Sequence, residues 1–71
     1  MFKNKDDKRF IEIFKEGSLT ESMKILLDTE TGVNYLYIGA GYSMGITPLL
    51  DGEGKVIVSN QREIASYKER I

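Results

Sequence analysis

The chain has no histidine and no cysteine among its 71 residues, which narrows its chemistry at once. Histidine is the commonest general base near neutral pH and the commonest zinc ligand. Cysteine supplies thiolate nucleophiles, thiolate metal sites and disulfides. Eleven acids, ten basic residues, four tyrosines and seven glycines remain. Asp28 with Glu30, and Asp51 with Glu53, form short acidic loops. Neither completes the oxygen spacing of a calcium loop or places its terminal bidentate glutamate. Nothing in the order of residues singles out two carboxylates for paired acid–base work. Solvated loop acids are expected, with no metal, no cofactor and no catalytic residue.

The glycines cluster in Gly39-Ala40-Gly41-Tyr42-Ser43-Met44-Gly45. A dinucleotide fingerprint needs a helix N-terminus after such glycines to receive the pyrophosphate. Pro48 and the turn residues at Asp51 leave no room for one. Gly52-Glu53-Gly54-Lys55 fails as a phosphate loop, because Leu49 stands where the first glycine belongs and Val56 where the Ser/Thr belongs. The segment from Gly39 to Gly45 is thus a connector between strands, or a binding loop that exposes backbone N–H groups to a ligand. Tyr35 and Tyr37 share a strand face, and Tyr42 follows in the glycine segment. They fill a core or subunit contact, or form a platform for a flat ligand, with Tyr42 as lid and Ser43 as polar contact. The candidate ligand set is Tyr35, Tyr37, Gly39, Gly41, Tyr42 and Ser43. Arg62 would add charge for an anionic ligand, although surface solubility explains it as well.

The elements that must position these residues are short. Residues 9–15 and 20–27 read as strands separated by a turn at Glu16-Gly17-Ser18. Ile11 and Ile13 fall on one face of the first, with Phe10, Glu12 and Phe14 on the other. Helix propensity competes over 20–27, but the polar linker Asp28-Thr29-Glu30-Thr31-Gly32 and the alternation after it favour a hairpin. Residues 32–38 form the clearest strand, Val33, Tyr35 and Tyr37 facing one way and Asn34, Leu36 and Ile38 the other. Residues 46–50 read as an edge strand because of Pro48. Asp51-Gly52-Glu53-Gly54 reads as a tight turn, and 55–58 as a last strand. Asn60 and Glu63 have capping-box spacing, and Ile64, Tyr67 and Ile71 line one face of a helix over about 61–71. The expected fold is α+β and mostly β, a single antiparallel sheet of four to five strands with a C-terminal helix. Residues 1–8 are an expected flexible tail, and 9–71 the single domain.

Ten basic and eleven acidic residues give a net charge of −1, so no general pull toward nucleic acid or anionic membrane is expected. The N-terminus lacks the apolar run of a signal peptide and no stretch approaches a membrane span, so a cytoplasmic protein is expected. A chain this small buries only about 60% of its unfolded surface. Without disulfides or metal, self-association is the remaining way to add buried surface, and a homo-oligomer is expected.

Gly17-Ser18-Leu19, Thr31-Gly32-Val33-Asn34-Tyr35-Leu36, Gly45-Ile46-Thr47-Pro48-Leu49-Leu50-Asp51 and Gly54-Lys55 together resemble the recurring signature of a family of small proteins of unknown function, from Gram-positive bacteria and their phages. The resemblance spans about residues 8–58 and implies no catalytic residue. Small phage-borne proteins often act by stoichiometric binding. By that analogy the chain is a non-enzymatic homo-oligomeric binding protein, a counter-defence protein sequestering a small nucleotide-like signalling ligand. The alternative is an interaction module that blocks a host protein through a strand edge or helix face.

Overall fold

A computed structural model describes residues 8–70. Four strands, β1 (Phe10–Gly17), β2 (Glu21–Asp28), β3 (Asn34–Ala40) and β4 (Ser43–Pro48), are followed by one helix, α1 (Gln61–Lys68). The strands form one antiparallel sheet in the order β1-β2-β3-β4. The fold is α+β and mostly β, as expected. Of the stretch 20–27, residues 21–27 are strand in spite of their helix propensity, because β2 pairs on both sides, and Thr20 belongs to the turn before it. Residues 1–7 of the N-terminal tail expected over 1–8, and Ile71 of the helix stripe, lie outside the described residues.

Three details depart from the sequence reading. First, Ile13 is an extra residue bulged between Glu12 and Phe14. A bulge reverses strand parity, so Phe14 stands opposite Ile25 on the Ile11 face rather than with Phe10 and Glu12. Second, the segment from Gly39 to Gly45 is no loop. Gly39 pairs with Met44 inside β3, Gly45 sits in β4, and only Gly41-Tyr42 turns between Ala40 and Ser43, the pair that closes the ladder. Gly41 has φ +60° and Tyr42 a negative φ, the sign pattern of a II′ hairpin turn. Alternation over 32–38 and 46–50 missed this, because glycine and alanine inside strands carry no periodic signal. Third, residues 55–58 make two isolated bridges, Leu50 with Val56 and Val33 with Val58, instead of a fifth strand.

Segment 49–59 runs back past the start of β3 to place α1. Leu49 N–H donates to Asn34 O, Asn34 N–H to Ile57 O, and Ser59 N–H to Gly32 O, at 2.7–3.0 Å. The buried Asn34 carboxamide adds donors to Gly32 O and Ser59 Oγ, both at 3.0 Å. Gly32 has φ +84°, and a Cβ there would collide with the Ser59 carbonyl oxygen, so only glycine fits. Helix α1 then starts at a complete capping box: Glu63 N–H donates to Asn60 Oδ1 and Asn60 N–H to Glu63 Oε1.

Helix α1 lays Ile64 on Ile11 and Leu27, with Ile13 and Tyr67 packed around them. These three are the buried hydrophobic residues of the described chain. The second anchor lies beside them. Arg9 grips Asp28 as a fork, Nε to Oδ1 at 2.9 Å and Nη2 to Oδ2 at 3.0 Å. Asp28 Oδ1 also accepts Glu30 N–H at 2.9 Å, which shapes the β2–β3 turn. The Arg9 fork holds the Asp28 carboxyl well below the usual carboxylate range, against the opposing effect of burial.

Asp28 has a lower pKa folded than the value of about 3.9 it has unfolded. Its contribution is therefore complete above about pH 5 and is lost as pH falls through 4 and below. Asp28→Asn should remove that part of the acid dependence and destabilise by about 1–3 kcal/mol at pH 7, toward the lower end because Arg9 is partly solvated. Urea melts from pH 3 to 7 measure both. Ile64→Ala should cost about 2–5 kcal/mol in the same assay, since it empties one of three core positions; a loss under 0.5 kcal/mol would show that α1 does not hold the core.

Candidate functional site

In a four-strand meander the first and third turns lie at the same end of the sheet. Here the β1–β2 turn, Ser18-Leu19-Thr20, stands next to the β3–β4 turn at Gly41-Tyr42. Between them runs an open trough of about 520 Å³. The first turn, Glu21 and Ser22 form one wall, and Tyr37, Gly39 and Gly41 the other. The register explains the pairing of walls: Ser22 lies opposite Gly39, and Lys24 opposite Tyr37. Cross-strand partners share a face, so these four side-chain positions lie on the face opposite α1. Tyr37 leans toward the turn, its hydroxyl 3.2 Å from where a Cβ on Gly39 would stand. Glycine at 39 leaves the tyrosine ring room to lie flat along the strand.

The electrostatics are mixed. Lys24 Nζ stands 5.7 Å from the centre of the Tyr37 ring, within cation–π range, and 3.7 Å from Glu12 Oε1. The hydroxyls of Ser18 and Thr20 approach to 3.5 Å, and Ser18 Oγ accepts the Thr20 N–H at 3.4 Å. Glu21 is the one acid in the trough wall. The trough can therefore offer a flat aromatic surface, hydroxyl donors and acceptors, and one nearby ammonium. Among the described residues no group of three or more His, Cys, Asp or Glu residues could hold a metal ion.

The residues singled out in the sequence divide. Tyr37, Gly39 and Gly41 line the trough. Tyr35 shares their face but sits two residues away, opposite Leu26 and Pro48 and edge-on to Phe10 at 6.4 Å. Tyr42 is fully exposed at the turn tip, and Ser43 pairs with Ala40 beyond it. Arg62 lies on α1, in a separate cleft of about 250 Å³ with Glu63, Ser66, Tyr67 and Arg70. The helix packs at the Leu27 end of β2, roughly 20 Å along the strand from Glu21, so Arg62 does not join the trough. Ser18, Leu19, Thr20, Glu21 and Ser22 also line the trough and are not in the candidate ligand set. Their signal was the hairpin order itself, which brings the first and third turns together.

Residues 9–59 match the model of a family described as a family of unknown function (DUF6440). No curated protein and no solved structure matches. No helix among the described residues is long and apolar enough to cross a membrane.

Tyr42 touches nothing that would stabilise a single chain. Tyr42→Ala should leave the unfolding free energy within about 0.5 kcal/mol of wild type in urea melts. A larger loss would place Tyr42 in a packed contact.

Proposed function

The chain belongs to this family of unknown function, and on that footing we propose that it is a non-enzymatic, homo-oligomeric binding protein. One observation carries the reading. Among the described residues three hydrophobic residues are buried, while ten large ones are exposed, including Phe10, Phe14, Ile38, Met44 and Ile46. Proteins rarely leave so much apolar surface in contact with water unless it meets a partner. The trough supports ligand binding over catalysis, because its wall combines an aromatic ring and hydroxyls without a base placed against a nucleophile.

The ligand class that suits the trough is flat and small. An aromatic base would stack on Tyr37, and Lys24 is the ammonium close enough to meet a phosphate, with Glu21 opposing it. This is the nucleotide-like ligand that a sequestering counter-defence protein would take. The competing reading, an interaction module that blocks a host protein, is favoured by the exposed edge of β4.

Light scattering at micromolar concentration should give at least twice the 8.1 kDa mass of the chain. Thermal melts against a panel of mono- and dinucleotides should show stabilisation for a binder, about 2.7 kcal/mol at 100 times the dissociation constant. Tyr37→Ala should weaken that ligand roughly 5- to 150-fold, the effect of losing a stacked base of about 1–3 kcal/mol. A monomeric mass together with no shift for any nucleotide would overturn the proposal.

A further inference from the structure

The two edges of the sheet differ. Edge strands present unpaired N–H and C=O groups, and soluble proteins blunt them with charges, bulges or proline. Strand β1 is blunted twice: it carries Glu12, Lys15 and Glu16, and Ile13 bulges out of register. Strand β4, Ser43-Met44-Gly45-Ile46-Thr47-Pro48, carries no charge, and its register with β3 is unbroken. Every residue of β4 is exposed, Met44 at 73% and Ile46 at 60%.

The direction of its backbone groups follows from the turn. A two-residue hairpin turn makes Ala40 and Ser43 a hydrogen-bonded pair, so Gly45 and Thr47 also bond to β3. Beyond the strand, Leu49 N–H donating to Asn34 O keeps the same alternation. Met44, Ile46 and Pro48 therefore turn their main-chain groups outward. Pro48 thus forfeits no ladder bond, which is how a proline is tolerated here. Among the described residues, the N–H and C=O groups of Met44 and Ile46 remain free in a row at this edge, while the Pro48 carbonyl accepts from the Thr47 hydroxyl at 3.5 Å.

Gly45 is the second pointer. Gly41 is required by its positive φ, and Gly39 lies under the Tyr37 hydroxyl. Gly45 has neither a positive φ nor any atom within 4 Å of where its Cβ would be. Glycine in mid-strand weakens the strand and marks close approach of another backbone.

Resting on the homo-oligomer reading, we propose that β4 is the dimer interface: two copies pair their β4 strands antiparallel about a two-fold axis at Gly45, making one eight-stranded sheet. Met44 of each copy then exchanges both N–H···O bonds with Ile46 of the other, and both free donors of each chain are satisfied. Gly45 meets its own copy as a non-hydrogen-bonded pair, where Cα atoms approach to about 4.5 Å. Met44 and Ile46 share a sheet face with Tyr37 and Gly39. The dimer therefore extends the tyrosine face across the two-fold axis and covers the exposed side chains of Met44 and Ile46.

The absence of native cysteine permits a direct test. Gly45→Cys should cross-link to a covalent dimer under mild oxidation, because its Cα separation falls within disulfide range and its Cβ meets nothing in its own chain. Lys15→Cys, on the β1 edge, should not cross-link. Met44→Lys should halve the light-scattering mass to 8.1 kDa while the far-ultraviolet dichroism of the sheet persists. A monomeric wild type would overturn both this proposal and the oligomer reading. An oligomeric wild type in which Gly45→Cys stays uncross-linked, or in which Lys15→Cys cross-links as readily, would overturn the β4 interface alone. If Met44→Lys unfolds the chain, the cysteine pair decides.

Discussion

The Asn34 carboxamide is the point on which the tertiary structure turns. It is buried at the first residue of β3 and donates to both Gly32 O and Ser59 Oγ. That clamp holds segment 57–59 against the start of the sheet, two residues before α1 begins. It reinforces the main-chain bonds from Asn34 to Ile57 and from Ser59 to Gly32 that fix where the helix lands, and the helix supplies one of the three hydrophobic side chains buried among the described residues. An eight-residue helix is too short to persist alone, so its order is borrowed from this attachment and from Ile64. The carboxamide is buried without a penalty because its partners are main-chain and side-chain oxygens already in place.

The clamp also sets the limit of the core. Helix α1 reaches the Ile11–Leu27 corner and no farther, so most of that face and of the opposite one is left half-buried or exposed. A single layer cannot bury both faces of a sheet. Any partner that covers such a chain adds to its stability by mass action. The trough lies on the uncovered face, and β4 is its nearest free edge. The proposed binding site and the proposed dimer edge therefore share one face of the sheet.

The segments that carry the family resemblance turn out to be geometric devices. Thr31-Gly32-Val33-Asn34 is the clamp and the close approach beside it. Asp51 accepts Glu53 N–H and Lys55 N–H at 2.8 and 3.0 Å, which closes the turn through Gly54-Lys55 and explains that part of the pattern. These hydrogen bonds also hold the Asp51 carboxyl below its ordinary range. These segments thus describe how the chain folds. The trough draws on residues between those segments, apart from the Ser18-Leu19 turn.

By itself the sequence determined the strand faces of β2 and β3, the capping box at Asn60, the turn at Asp51 and the class of the fold. Each is a local matter, decided by side-chain alternation or by hydrogen bonds between residues three or four apart. The tertiary structure alone decided the rest. The bulge at Ile13 moved Phe14 across the sheet because pairing with Ile25 outweighs local alternation. The hairpin at Gly41-Tyr42 absorbed glycines that read as a loop, since a glycine in a paired strand leaves no periodic trace. Arg9 found Asp28 across 19 residues, and the β1–β2 turn came to face Tyr37, through strand register. Register is a property of paired strands, and no single run of residues contains it.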